Sequence, residues 1–205
     1  MLENYLIKGL LVGLVFGVPA GAIGALTIQR SLTHGFWAGL VTGLGSSAAD
    51  ILYACVGVFG LTLISDFLLA HQAVISIAGG VVIILLGINI FRKKAQKVED
   101  TEQRSRLPIF FSSSFAIAIM NPATILAFIV AFSSFGIADN LNATQGTQLI
   151  CGILLGTGCW WAGLSGLVCI FRSRVTDAIY HRLNQILGIL MVLFGLYVGL
   201  RTFLP

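Results

Sequence analysis

Charge is what this sequence has least of. Its 205 residues include 12 Lys plus Arg and 8 Asp plus Glu, 10% in all, where an ordinary soluble domain carries about 25%. So few charges cannot clothe a water-facing surface, which excludes a soluble enzyme and a disordered chain. Cysteine is scarce as well. Cys55, Cys151, Cys159 and Cys169 form no C-x-x-C pair and have no companion histidine cluster. A disulfide-stapled domain and a zinc site are thereby excluded, and the four read as small core residues. No Walker loop is present, so ATP is not the energy source. The glycine-rich stretches follow apolar runs rather than strands, so no dinucleotide fingerprint is credible. No cofactor and no metal are expected. The net charge of +4 comes from bases beside apolar segments, so nucleic acid is not an expected partner.

What is abundant is apolar: 57% of the residues are hydrophobic, and 24 more are glycine. A spanning helix needs about 20 mostly apolar residues. Six stretches qualify, at 5–28, 36–65, 72–91, 109–135, 145–171 and 183–204. The expected fold is an all-α integral membrane protein with six transmembrane helices. Glu3 precedes the first base, Lys8, and the first apolar run is long, so it reads as a retained span rather than a signal peptide. Residues 1–205 form one transmembrane domain. A charged cytoplasmic loop, 92–108, separates a first three-helix repeat, 1–91, from a second, 109–205.

Lys and Arg are unevenly placed. Arg30, then Arg92, Lys93, Lys94, Lys97, Arg104 and Arg106, then Arg172, Arg174 and Arg182 follow spans one, three and five. The opposite side has Lys8 and Arg201. The heavy side is expected to be cytoplasmic, which puts both termini outside. An odd number of spans per half inverts the second half on the first, a common transporter architecture.

The two halves share a further feature. Pro19, in Gly17-Val18-Pro19-Ala20-Gly21, and Pro122, in Met120-Asn121-Pro122-Ala123-Thr124, each lie 14 residues past the start of their spans. That depth is about 21 Å, near mid-membrane. Proline breaks the helix ladder, and paired breaks are the best sequence pointer to a transport site. Asp50 is the one acidic residue deep within a span. An intramembrane carboxylate costs about 2.5–3.5 kcal/mol on insertion scales, and it ordinarily faces a cavity or a partner. Gly39, Gly43, Ser46, Ser47, Asp50 and Gly57 share one broad helical face. Asn121 can donate to a carboxylate or cap a freed carbonyl; Thr27 and Thr124 are weaker candidates. Trp160 and Trp161 are too deep for an interfacial belt, so one could wall the pathway, although core packing explains them too. Trp37 reads as an interface anchor. Gly152 with Gly156, and Gly195 with Gly199, have the spacing of close helix approach, and a homodimer face is a second use of such spacing.

The chain resembles the LysE/RhtB family of amino-acid exporters over essentially its whole length. The resemblance is carried by Gly17-Val18-Pro19, by Gln29-Arg30-Ser31-Leu32-Thr33-His34-Gly35-Phe36-Trp37-Ala38-Gly39-Leu40, by Gly43, Gly45 and Asp50, and by Met120-Asn121-Pro122. Two positions depart from the family's usual motifs. Val18 separates Gly17 from Pro19 where Gly-Pro is common, and Ala123 stands where a lysine commonly follows Asn-Pro. The resemblance implies efflux of amino acids or related metabolites across the plasma (bacterial inner) membrane, driven by the proton gradient. Joined to the residues, it implies a small zwitterion as substrate. Its carboxylate would meet half-helix N-termini near Pro19 and Pro122, and its ammonium would exchange with a proton at Asp50. A passive channel and a non-transporting membrane assembly partner are the rival readings. An enzyme is not expected, because a single deep carboxylate has no second acid, metal cluster or nucleophile–base pair beside it.

Overall fold

The computed structural model describes residues 4–17, 21–59, 70–92, 100–120 and 141–200. Among these, every regular element is an α-helix: α1 Tyr5–Gly17, α2 Ala22–His34, α3 Phe36–Phe59, α4 Gln72–Arg92, α5 Asp100–Ile119, α6 Ala143–Arg172 and α7 Asp177–Leu200. Four of them, α3, α4, α6 and α7, contain apolar stretches of 20 or more residues, long enough to cross a membrane. The first expected span is divided. With 13 residues each, α1 and α2 are about 20 Å long and neither crosses alone. Pro19, Asn121 and Pro122 lie outside the described residues.

Outer surfaces are apolar, as lipid requires: Val74, Leu85, Leu167, Ile170 and Leu193 are all more than half exposed. Trp37, 61% exposed at the first turn of α3, fits an interfacial anchor. The helix α2 is the opposite case. Eleven of its 13 residues are buried, among them Thr27, Gln29, Arg30, Ser31, Thr33 and His34. A polar helix of this kind survives in a bilayer only when other helices surround it.

Two apolar clusters flank α2. One joins Val12 of α1, Tyr53 and Ala54 of α3, and Leu149 and Ile153 of α6. The other joins Ala22, Ala25 and Leu26 of α2 to Ile83 and Ile90 of α4, Ile117 of α5, and Leu187 and Met191 of α7.

Glycine sets how closely the outer helices pair. On α1, a Cβ at Gly9 or Gly13 would collide with the backbone of α6 at Leu149 and Ile153; on α6, one at Gly152 or Gly156 would collide with Leu6 and Leu10 of α1. The partners rise together, so α1 and α6 are parallel. Between α4 and α7 the pairs are Gly80 with Gly195 and Gly87 with Gly188, each would-be Cβ within 2.9 Å of the opposite carbonyl oxygen. One number rises as the other falls, so these two are antiparallel. By the same test α3 is antiparallel to α6, since Gly39 meets Ser165 and Gly43 meets Trp161. It is parallel to α5, since Gly45 meets Phe111 and Tyr53 meets Ile119. These directions are those of spans that alternate in direction along the chain.

Three expectations change. Arg30 is not a loop base: the helix runs on to His34 and reverses at one residue, Gly35, whose φ of 84° a side chain would resist. The charged stretch expected as a loop is helical from Asp100 onward, because a helix satisfies its own backbone and can project beyond the bilayer. Cys151 and Cys159 are exposed rather than in the core; the glycine face of α6 turns toward α1 and carries these thiols outward. Gly152, Gly156 and Gly195 meet other helices of the same chain, and Gly199 lies against Gly80 of α4, as the packing reading of these glycines expects.

Candidate functional site

The site is assembled around α3. Ser46, Ser47 and Asp50 are all buried on it, at 7%, 1% and 7% exposure. Serine and aspartate three and four residues apart share a helix face; glycines at 39 and 43 let α2 and α6 close on it, and Gly45 receives α5 on another side of α3.

One end of this stretch meets the broken first span. Along α6, Gly13 of α1 lies against Ile153 and Thr157, and Ser31 of α2 lies near Ser165 and Cys169. The ends of α1 and α2 therefore come opposite the intervening part of α6, which carries Trp160 and Trp161. Trp161, 3% exposed, packs its indole on Gly43. Gly17 closes α1. Gly21 starts α2 with φ 107°, and a Cβ there would sit 2.9 Å from the Phe194 ring of α7.

The other end meets span four. The Tyr53 hydroxyl, one turn beyond Asp50, donates a 2.6 Å hydrogen bond to the carbonyl of Ile119, the last residue of α5. A helix end leaves such carbonyls without partners, and tyrosine supplies one here. Asp50 is thus placed one turn from a helix terminus, with Ser46 and Ser47 leading from it toward the first interruption.

Several polar atoms in this interior have no hydrogen-bond partner: Thr27 Oγ1, Ser31 Oγ, Ser47 Oγ, Ser165 Oγ and the indole nitrogens of Trp160 and Trp161. Buried polar groups are satisfied in the great majority of cases. The six atoms lie on three adjoining helices, α2, α3 and α6. Among the described residues no three His, Cys, Asp or Glu side chains are grouped to hold a metal.

The basic end is the second feature. Arg30 donates from Nη1 to Thr42 Oγ1 (3.1 Å) and the Phe110 carbonyl (2.9 Å), and from Nη2 to Ser113 Oγ (2.8 Å). Thr33 Oγ1 pairs with the Tyr180 hydroxyl at 2.7 Å, and Arg172 Nη2 donates to the Thr33 carbonyl at 3.0 Å. Together these tie α2 to α3, α5, α6 and α7.

The structure therefore places Ser46, Ser47, Asp50 and Trp160 on the helices that enclose one interior, with Gly17 and Gly21 at the helix ends beside it. The roles of Tyr53 and Arg30 were not read from sequence. A hydroxyl one turn from a deep acid was the available signal for the first. A run of polar residues, Gln29-Arg30-Ser31, with no turn former before Gly35 was the signal for the second.

A LysE type translocator family model matches residues 14–202. A Bacillus subtilis protein named as a putative amino acid efflux protein, YcgF, is 28% identical over 96% of this chain and 95% of its own length. The chemotactic transduction protein ChpE of Pseudomonas aeruginosa is 29% identical over 93% of the chain and 94% of its own length. The uncharacterized membrane protein YahN of Escherichia coli is 27% identical over 94% of the chain and 86% of its own length. No solved structure matches the chain. With the apolar helices described above, these likenesses identify a multi-pass inner-membrane protein that belongs to the LysE type translocator family.

Proposed function

We propose that this translocator exports small amino acids or related zwitterions from the cytoplasm by proton antiport, with Asp50 as the group that holds ammonium and proton in turn. The observation that carries the reading is Asp50 itself. It is a buried carboxyl that shares a helix face with Ser46 and the unpartnered Ser47, one turn from the tyrosine that caps the end of α5.

The cycle requires Asp50 to lose its proton when an ammonium arrives from the cytoplasm and to regain one from outside when the ammonium leaves. Ser46 and Ser47 solvate both forms. The start of α2 offers partial positive charge to the cargo's carboxylate. The orientation that suits this cycle puts the basic end in the cytoplasm, as the unequal lysine and arginine count favours. The helix pairings also suit two inverted halves. Exchanging spans one and four, two and five, and three and six turns the α1–α6 pair into the α5–α3 pair, and it leaves the α3–α6 and α4–α7 pairs unchanged. All of these pairs are packed together in the fold, as expected for the architecture in which rocking halves alternate access.

Purified protein in proteoliposomes, loaded with labelled amino acids, tests the proposal. Under an inward proton gradient the wild type should drive efflux. Asp50→Asn should abolish the dependence on the gradient. Coupled efflux that survives this substitution would refute the role of Asp50. Wild-type flux without counterflow would favour a channel. A membrane partner without transport has the name of the Pseudomonas relative on its side, and a complete absence of flux would favour it.

A further inference from the structure

We propose that Arg30 forms a carboxylate-binding site at the cytoplasmic end of the bundle, where it reads the anionic group of the cargo and releases the contacts that close that end. This rests on the reading of the cargo as a zwitterion and gives its carboxylate an earlier contact, before it reaches the start of α2 and Asp50.

Arg30 is buried, at 7% exposure. Buried charges are ordinarily paired with an opposite charge, yet no carboxylate pairs with Arg30 among the described residues. Every partner it has among the described residues is neutral: the Thr42 and Ser113 hydroxyls, the Phe110 carbonyl, and the Phe110 ring, whose centroid lies 4.6 Å from Cζ. A hydrogen bond from guanidinium to carboxylate is about twice as strong as a neutral one. The planar fork of Arg30 matches a carboxylate in bidentate fashion, which a hydroxyl cannot copy. Thr42 and Ser113, whose hydroxyls donate to the Ala38 and Phe110 carbonyls, can turn them to donate to the same anion instead. The site is thus furnished with a cation, a fork and two rotatable donors.

Its partners give it a second property. Thr42 is on α3, whereas Phe110 and Ser113 are on α5, so the three bonds of Arg30 hold α2 against two other helices. A carboxylate that takes the fork removes those ties. The neighbouring ties, Thr33 to Tyr180 and Arg172 to Thr33, are single neutral or carbonyl bonds on the same end of α2. Binding and opening are then one event: the anion stabilises the arrangement in which the ties are broken, and it shifts the equilibrium by its differential affinity.

Distance sets the order of steps. Thr42 and Asp50 are eight residues apart on α3, about 12 Å along its axis. The ammonium and carboxylate of an α-amino acid are separated by a single carbon, so one molecule engages the two groups in succession, Arg30 first and Asp50 second. On the Asp50 side of Arg30, Ser47 of α3 and Thr27 of α2 are fully buried and unpartnered. They supply polar footholds along the way.

The test uses Cys169, whose Sγ is 3.8 Å from the Ser31 carbonyl within these ties. Cys55, Cys151 and Cys159 are changed to serine, and the full chain in nanodiscs is alkylated with a small soluble maleimide. Probes are each standard amino acid, propionate and propylamine. At least one amino acid, and propionate, should accelerate alkylation of Cys169 about tenfold, equivalent to roughly 1.4 kcal/mol of differential affinity; propylamine should not. Arg30→Gln should alkylate fast without any probe. Arg30→Lys keeps the charge but not the fork and should lose the carboxylate response; this variant decides the matter if the glutamine variant fails to fold. A wild type that ignores every carboxylate, a response equal for propylamine, or a response intact in Arg30→Lys would overturn the proposal. The two proposals fail separately. Proton-coupled efflux surviving in Asp50→Asn removes the antiport role and leaves this result standing, whereas loss of the Arg30 response leaves coupling at Asp50 untouched.

Discussion

Two kinds of joint hold this molecule together. Along α1–α6 glycine brings backbone onto backbone, and along α4–α7 it does so with Ile84, Phe91, Met191 and Val192 packed alongside. Around α2, at the basic end, the contacts are hydrogen bonds from long or rotatable side chains: Arg30, Thr33, Arg172 and Tyr180. A glycine seam has one geometry, because there is nothing in it to rearrange. A hydrogen-bonded collar has many, because each donor can find water or cargo instead. A transporter needs both, rigid bodies to move and breakable ties between them. Here the division follows residue type, glycine in the seams and hydroxyl, guanidinium and carbonyl groups in the collar.

The sharpest way to break that contrast is to fill a seam. Gly156→Val places its side chain on the Leu10 carbonyl and the backbone at Gly13. Backbone cannot turn aside, so about 3 kcal/mol should be lost, seen as a large fall in the midpoint of thermal unfolding in detergent. A loss within error would mean that the seam is loose and the contrast false. Removing one collar bond should cost less. Tyr180→Phe deletes the hydroxyl paired with Thr33, which still has Gln29 as a partner. About 1 kcal/mol is expected, with a measurable change in the rate of efflux if opening of this end breaks the bond, as the proposed cycle requires. Smallest of all is Gly158→Ala, where nothing lies within 4 Å of the new methyl. Its stability should stay level or rise by up to about 1 kcal/mol from helix propensity alone. A fall at this position, equal to that at Gly156, would show glycine to be required for bending rather than for approach.

Much of this was legible in the chain itself. Apolar runs locate the helices because lipid leaves them no other way to satisfy their backbone. Asp50 and its serine face stand out because charge is so rare in such runs. The i,i+4 glycines of α6 announce a close neighbour, though not which one: a lone G-x-x-x-G fits another copy of the chain as well as Gly9 and Gly13 of α1. Arg30 was misplaced for a different reason. Counting bases by side treats each as a solvated charge, and a buried arginine with neutral partners looks the same in that count. Cysteine misled in the same manner, since in lipid an outward thiol is as comfortable as an inward one. Tyr53 escaped notice because its partner is a carbonyl 66 residues away, which no local pattern encodes.

The bare seams have a consequence for assembly. Glycine has no rotamers to freeze, so joining α1 to α6 or α4 to α7 costs almost no side-chain entropy beyond what insertion has already spent. Such pairs can lock as soon as both helices are in the bilayer, while the arginine and hydroxyls of α2 are still searching for company. The stiff walls would then stand before the interior is furnished, and the last helix to settle would be the one that later has to let go.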